Sequence, residues 1–315
     1  MRYLKELRDG EIVADVYLCK HMTTAVTKNG KEYLNVTLQD KSGTLDAKIW
    51  EPNSGGIGEF KPLDYIYIMG DALTFNNQIQ VSIKRLRVAN DTGYVPADYL
   101  PMSPRDNDEM YKEITAVCET VKNPYLHRLL EEFFVEDEEL VGMFRKSSAA
   151  KMVHHSFVGG LMQHTLAVTR LCKFYTKMYP ALNHDLLISA AMLHDIGKVK
   201  ELSRFPENDY TDEGQLLGHI VIGCSMISGK ISQIEDFPEK LKNELLHCIA
   251  AHHGQLEFGS PKVPELIEAM ALNLADNTDA KLETLTELLG GTNEKGWLGF
   301  NRFLDANIRK TSEWE

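Results

Sequence analysis

The hydrophobic period of this chain changes once, near residue 90, so two different architectures must follow one another. Before the change, apolar residues alternate. In "YLNVTLQD", Leu34, Val36 and Leu38 alternate with Asn35, Thr37 and Gln39, the period of a strand with one buried face. "LDAKIW" repeats this with Leu45, Ala47 and Ile49, and the intervening "DKSG" has turn chemistry. "DYIYIMG" sets Ile66 and Ile68 against Tyr65 and Tyr67, and "QIQVSIKRL" sets Ile79, Val81 and Ile83 against Gln80, Ser82 and Lys84. With "EIVADVYLCK", this makes about five strands in some eighty residues, the size of an OB-type barrel. Another small barrel or an SH3-like fold fits the pattern almost as well.

Past "NDTGYVPADYLPMSPRD" the period is helical. Leu161, His164, Val168, Leu171 and Tyr175 form one stripe, and Ala269, Leu272, Asp276 and Asp279 form another. The fold expected is therefore multidomain: an N-terminal all-β OB-like barrel over residues 1–90, a linker over 91–110, and an all-α domain over 111–315.

Composition sets the remaining limits. At 43% hydrophobic residues the chain can bury real cores, which excludes a disordered or fibrous protein. No apolar run approaches the roughly 20 residues needed to span a bilayer, and the charged N-terminus lacks a signal-peptide core. No membrane partner is expected. Five scattered cysteines, none in a C-x-x-C pair, indicate reduced thiols in a cytoplasmic protein and argue against a thiolate zinc site. The net charge of -12 is uneven, because residues 1–90 hold 12 basic against 11 acidic side chains. A near-neutral front module on an acidic body permits local basic patches.

Several polar groups occupy positions where periodicity expects apolar ones. His164 lies on an apolar helical stripe, and His194 and Asp195 end the apolar run in "AAMLHDIGKVKEL". His219 opens "HIVIGCSMI", His252 and His253 end "LLHCIAAHHG", and Asp276 lies on an inward row. Each hydrogen bond left unmade on burial costs about 1–3 kcal/mol, and a divalent metal would offset several at once. Taken singly, each has an ordinary explanation: a hydrogen-bonded core histidine, a chance dipeptide, or a histidine pair favoured at a helix C-terminus.

The ordered set His, His-Asp, His, His-His, Asp is more specific, and it resembles the HD-domain phosphohydrolase superfamily. That resemblance implies an all-helical HD-type fold in which His164, His194, Asp195 and Asp276 hold one metal. In two-metal members, histidines matching His219, His252 and His253 hold a second, with Asp195 bridging. Imidazole mixed with carboxylate suits one or two divalent transition-metal ions, manganese foremost and also Co, Fe, Zn or Ni, and does not suit calcium. Such an ion lowers the pKa of bound water and polarises a phosphoryl oxygen. Asp195 and Lys198 are the catalytic candidates, Lys198 through an ammonium near the phosphate or, equally, as a solvated lysine balancing a helix C-terminus. Asp279 could orient a ligand, or cap or pair elsewhere.

Longer segments narrow the substrate. "AAKMVHHSFVGGLMQHT", "LHDIGKVKEL", "YTDEGQLLGHIVIG", "AHHGQLEFGSPKVPELIEAMALNLADNTDAK" and "GFNRFLD" resemble the YhaM family of 3′-5′ exoribonucleases. That family places an OB-type nucleic-acid-binding module before its HD domain. The resemblance implies hydrolysis of single-stranded RNA from the 3′ end, with single-stranded DNA as an alternative and a homo-oligomer compatible. The residues themselves offer Tyr65 and Tyr67 for base stacking, and Lys48, Lys84, Arg85 and Arg87 for the phosphate backbone. Arg145, Lys146 and Lys151 lead to His154 and His155, which precede Gly159-Gly160 in a loop that could grip a terminal nucleotide. The tyrosines could equally cover a second small core. Two other functions stay open: an HD-type nucleotide or cyclic-dinucleotide phosphodiesterase with a regulatory barrel, and a non-catalytic nucleic-acid-binding protein with a structural metal.

Overall fold

The computed structural model describes residues 1–76, 78–90, 93–151, 155–290, 292 and 294–312. The chain divides into two compact units, Met1–Met102 with Arg204–Asn208, and Ser103–Ser203 with Asp209–Glu315.

The first unit is a closed five-stranded barrel of OB type. Its strands are β1 (Ile12–Val26), β2 (Glu32–Asp40), β3 (Gly43–Ile49), β4 (Tyr65–Phe75) and β5 (Gln78–Val88), in the ring order β1-β2-β3-β5-β4. All neighbours are antiparallel except β3 and β5. Alternation puts Val36, Leu38, Ala47, Ile49, Ile66, Ile68 and Val81 in the interior, each at most 1% exposed. Closure depends on β1, which pairs with β4 over Ile12–Leu18 and with β2 over Leu18–Val26. An irregularity between Cys19 and His21 marks the transfer from one partner to the other. A bulge at that point bends one long strand so that it can serve two neighbours.

The second unit is helical around a single apolar core. Its helices are α1 (Asn107–Cys118), α2 (Pro124–Glu131), α3 (Glu138–Phe144), α4 (Gly160–Met178), α5 (His184–Leu193), α6 (Lys198–Glu201), α7 (Asp212–Ile231), α8 (Glu239–Ala251) and α9 (Ile267–Gly290). Side-chain oxygens of Asp106, Asn123, Asp137, Asn183 and Thr211 accept from the first free backbone N–H groups of α1, α2, α3, α5 and α7. Every residue of α5 from Leu186 to Leu193 is buried, as a helix apolar all round must be. No helix among the described residues is long and apolar enough to cross a membrane. The five cysteines are free thiols, Cys224 half-buried and the others buried.

One sequence expectation is corrected. The helical character does not reach the C-terminus, because β6 (Trp297–Asn301) and β7 (Ala306–Arg309) pair as an antiparallel hairpin. Helix is disfavoured there by Gly296 and Gly299, whose φ angles are 102° and 93°, and by aromatic residues suited to strands.

Two glycines fix how α7 meets the end of α5. Gly218 adopts φ 71° and ψ 156° and kinks α7 directly before His219. A Cβ on Gly197 would lie 2.0 Å from the His219 carbonyl oxygen and 2.7 Å from the Gly223 nitrogen. Gly197→Ala should therefore force the two segments apart and destabilise the helical unit by about 1–3 kcal/mol. Scanning calorimetry should show a lower unfolding midpoint, and an unchanged midpoint would contradict this close packing.

Candidate metal centre

The buried helix α5 ends by delivering His194, fully buried, and Asp195, which is 2% exposed, into the middle of the helical unit. His164 comes to the same point from α4, and Asp276 and Asp279 from one face of α9. His219 arrives from the kink of α7, and His252 and His253 from the end of α8. The Asn273 amide donates to the His252 carbonyl oxygen at 2.8 Å, tying α9 to the end of α8.

The two oxygens of Asp195 face different groups. Its Oδ2 lies 3.3 Å from His164 Nε2 and 3.4 Å from His194 Nε2. Asp276 Oδ1 approaches the same two nitrogens at 3.2 and 3.8 Å. Asp195 Oδ1 lies 3.4 Å from His219 Nε2 and 3.6 Å from His252 Nε2. A ligand atom from His253 joins those of His219 and His252, all within 4.8 Å of one another.

Every one of these four imidazoles is oriented through its other nitrogen. His194 Nδ1 and His252 Nδ1 lie 2.8 and 2.7 Å from the carbonyl oxygens of Ala191 and Ile249, which can only accept. His164 Nδ1 donates to Asp279 Oδ2 at 2.7 Å, and His219 Nδ1 to Glu201 Oε1 at 3.0 Å. In each neutral ring the proton therefore sits on Nδ1, and the Nε2 lone pair points inward. Glu201 also accepts from the His219 backbone N–H at 2.9 Å, a contact made available by the Gly218 kink.

The cluster has the form of a cation site. Asp195 Oδ1, His219 Nε2 and His252 Nε2 are buried and make no hydrogen bond to any described residue. His164 Nε2 and His194 Nε2 stand only 3.2 Å apart. A proton on His164 or a metal ion can satisfy that approach, whereas Asp195 Oδ1, His219 Nε2 and His252 Nε2 are left for a metal ion. The separations among the donors of the first group, 3.2–3.8 Å, bracket the tetrahedral edges of about 3.3–3.6 Å that follow from metal–ligand bonds of about 2.0–2.2 Å. Nitrogen and oxygen donors in this mixture suit a divalent transition metal.

Local electrostatics act in the same direction. Burial alone would favour a neutral His164, but hydrogen bonds to Asp195, Asp276 and Asp279 outweigh it and raise its pKa well above the ordinary histidine value. The carboxylates that favour a proton there also favour a metal ion. Burial would raise the Asp195 carboxyl, yet the Lys198 ammonium and neighbouring imidazoles hold it well below the usual range. Asp276 and Asp279 are likewise depressed against burial by their histidine partners. Burial alone would lower Lys198, but Asp195 raises it, and its Nζ lies 2.7 Å from Asp195 Oδ2.

The residues expected to contact substrate are not gathered in this way. The Tyr65 ring stacks on Tyr94 at 4.1 Å and meets Tyr99 edge-on at 5.1 Å. It belongs to a second small cluster with Val16 and Leu18, so its availability for base stacking is not supported. Tyr67 packs on that cluster too, with Arg87 4.9 Å from its ring. Lys84 is ion-paired with Asp71, whereas Arg85 is exposed. His155 is buried and its Nε2 lies 3.0 Å from Asp279 Oδ2, so it adjoins the centre instead of an open loop. His154 lies outside the described residues. Arg145 is held by Asn107 and Asp108, and Lys151 by Asp209.

Glu201 was not anticipated from the sequence. Its only signal there is an acid six residues past Asp195 in a segment otherwise read as a solvated helix end. Because Asp279 and Glu201 hold the rings of His164 and His219, Asp279→Asn or Glu201→Gln should weaken metal binding about 10–100-fold while leaving the helical fold intact. Competition against a chromogenic chelator measures this directly. Wild-type affinity in both variants would show that these carboxylates do not orient the ligands.

Residues 161–281 match the family model described as "HD domain". Among solved structures, the chain is similar to a replication protein A heterotrimer bound to ssDNA, at 18% identity over 28% of this chain and 65% of that one, with a TM-score of 0.22. It is similar to the second OB-fold domain of replication protein A from Methanococcus maripaludis, at 16% identity over 29% and 95%, TM-score 0.22. A mitochondrial single-stranded DNA binding protein from S. cerevisiae is similar at 15% identity over 26% and 98%, TM-score 0.22. Behind its OB-like barrel the chain thus carries, over residues 161–281, an HD domain of the metal-dependent phosphohydrolase kind.

Proposed function

We propose that the chain is a metal-dependent 3′-5′ exoribonuclease that trims single-stranded RNA, with single-stranded DNA as a second substrate, and releases nucleoside 5′-monophosphates. The observation that carries the hydrolytic part is Asp195, each of whose oxygens faces a separate pair of imidazole Nε2 atoms. His164, His194, Asp195 and Asp276 would hold one ion, and His219, His252 and His253 would hold a second, with Asp195 between them. Manganese is the leading candidate. When bound, such ions supply Lewis acidity and activate water for attack on a phosphodiester. The protein's own groups do the rest. Asp279 and Glu201 keep two imidazoles in register, and Lys198, with 15% of its side chain exposed, offers an ammonium to a phosphate entering beside Asp195.

On the barrel, the reading of a single-stranded substrate is supported by Lys48, expected from the sequence, together with two rings that were not. Tyr33 and Trp50 stack at 5.0 Å on β2 and just beyond β3, and Lys48 Nζ lies 5.2 and 6.0 Å from their rings. Trp50 is 43% exposed. An exposed ring stacked on a half-buried one and flanked by a cation supplies the elements of a platform for bases and phosphates. The direction of trimming rests on the YhaM resemblance, because no feature of the ligand set distinguishes a 3′ from a 5′ end.

Two experiments test this reading. Trp50→Ala should weaken binding of a long single strand about tenfold, the loss expected for one base-stacking ring, and leave dinucleotide hydrolysis unchanged. Unaltered binding of the long strand would remove the barrel face from the account. For polarity, a hairpin with a 3′ tail, one with a 5′ tail, and a circular RNA are each incubated with Mn²⁺. Trimming of the 3′ tail alone, ending near the stem, is expected. Cutting of the circle would show endonuclease action instead, and trimming of only the 5′ tail would reverse the direction.

A further inference from the structure

The β6–β7 hairpin sets aromatic rings beside cations on one exposed surface. Trp297 pairs across the ribbon with Arg309, and Phe300 with Asn307. Trp297 is 67% exposed, Phe300 59%, and Phe303 in the connecting turn 49%. Leu298 and Ile308 face the other way and are half-buried. The ribbon is internally fixed: Lys310 N donates to the Gly296 carbonyl at 2.7 Å, and Leu304 N to Asn301 Oδ1 at 3.0 Å.

Charge distinguishes this ribbon from the acidic chain around it. Residues 294–315 carry Lys295, Arg302, Arg309 and Lys310 against Glu294, Asp305, Glu313 and Glu315, a balanced stretch in an acidic chain. None of the four cations is ion-paired with a carboxylate among the described residues. The Arg309 guanidinium instead donates to the Lys310 carbonyl and to Ser312 Oγ, at 3.2 and 3.1 Å, which holds it in place without neutralising it.

We propose that the β6–β7 ribbon is a contact for single-stranded nucleic acid, with Trp297 and Phe300 stacking on bases and Arg302 and Arg309 engaging phosphates. The inference rests on the nuclease reading above and adds a substrate contact to the catalytic unit itself. A polyanion with π faces satisfies rings and unneutralised cations together. The ribbon also follows the helix that carries the centre. Asp276 precedes the end of α9 by fourteen residues, about 21 Å of helix.

The test uses the full-length Mn²⁺-loaded protein and an oligouridine of about 20 nucleotides whose 3′-terminal linkages are phosphorothioates, so that it binds without being trimmed. Trp297→Ala with Phe300→Ala should weaken binding at least tenfold, since each ring lost accounts for roughly that factor. A second variant, Arg302→Gln with Arg309→Gln, keeps the rings. It should reduce the slope of log affinity against log salt by about 1.4, at about 0.7 per phosphate contact on a single strand. Both variants should hydrolyse a dinucleotide at the wild-type rate. Wild-type affinity and slope in the two variants, with dinucleotide hydrolysis intact, would overturn the ribbon proposal and leave the nuclease reading standing. A change confined to sedimentation behaviour would reassign the ribbon to self-association and overturn it as well. Failure of the wild-type protein to hydrolyse either dinucleotide or oligonucleotide would count against the nuclease reading itself, while the binding series still decides the ribbon.

Discussion

The helical unit is organised around one buried carboxylate whose surroundings suit a cation. Asp195 is 2% exposed, and its oxygens face His164 and His194 on one side and His219 and His252 on the other. Burying an ionised carboxylate without partners costs far more than a single hydrogen bond returns. The Lys198 ammonium supplies one compensating charge at 2.7 Å. It cannot also satisfy the inward-facing lone pairs of His219 and His252. Around this point the fold concentrates its less usual devices: a helix apolar all round, a glycine kink in α7, and carboxylates placed behind histidines.

Those devices explain how rigidity reaches the ligands. The buried α5 cannot shift without moving the core, and it positions His194 and Asp195 together. Asp279 is on the same helix as Asp276, so a single rigid element both contributes a donor and orients the His164 ring. Glu201 performs the second task for His219 while also accepting its backbone N–H, and this requires the non-helical Gly218 just before it. Orientation by an acceptor behind each ring fixes the tautomer before any ion binds, which lowers the cost of assembling the site.

The residues legible in the sequence were those whose position broke a period. His164, Asp276 and Asp279 stand on helical stripes that should be apolar, and His194-Asp195 ends an apolar run, so an inward-facing position could be inferred for each. In the barrel, Val36, Leu38, Ile66, Ile68 and Val81 were legible by strict alternation. What escaped depended on contacts distant in sequence. Glu201 acquires its role only through a kink seventeen residues later, and helical periodicity does not forecast a glycine with φ of 71°. Tyr65 was placed correctly on the outer face of β4, but Tyr94 and Tyr99 cover it, and no local pattern shows that a later segment returns there. Trp50, at the end of its strand, was passed over although its neighbour Lys48 was not. The C-terminal hairpin was missed because only five and four residues form its strands, too few for alternation to stand out.

The most direct test of the central claim is long-range ¹H–¹⁵N NMR of the histidine rings, recorded on the metal-free protein and again during titration with diamagnetic Zn²⁺. The account predicts that His194, His219 and His252 carry their proton on Nδ1 before metal is added. It also predicts that the Nε2 resonances of these three and of His164 shift together as zinc binds. A proton on Nε2 of His194 or His252 at neutral pH, with no Nε2 shift at saturating zinc, would contradict a metal centre built around Asp195.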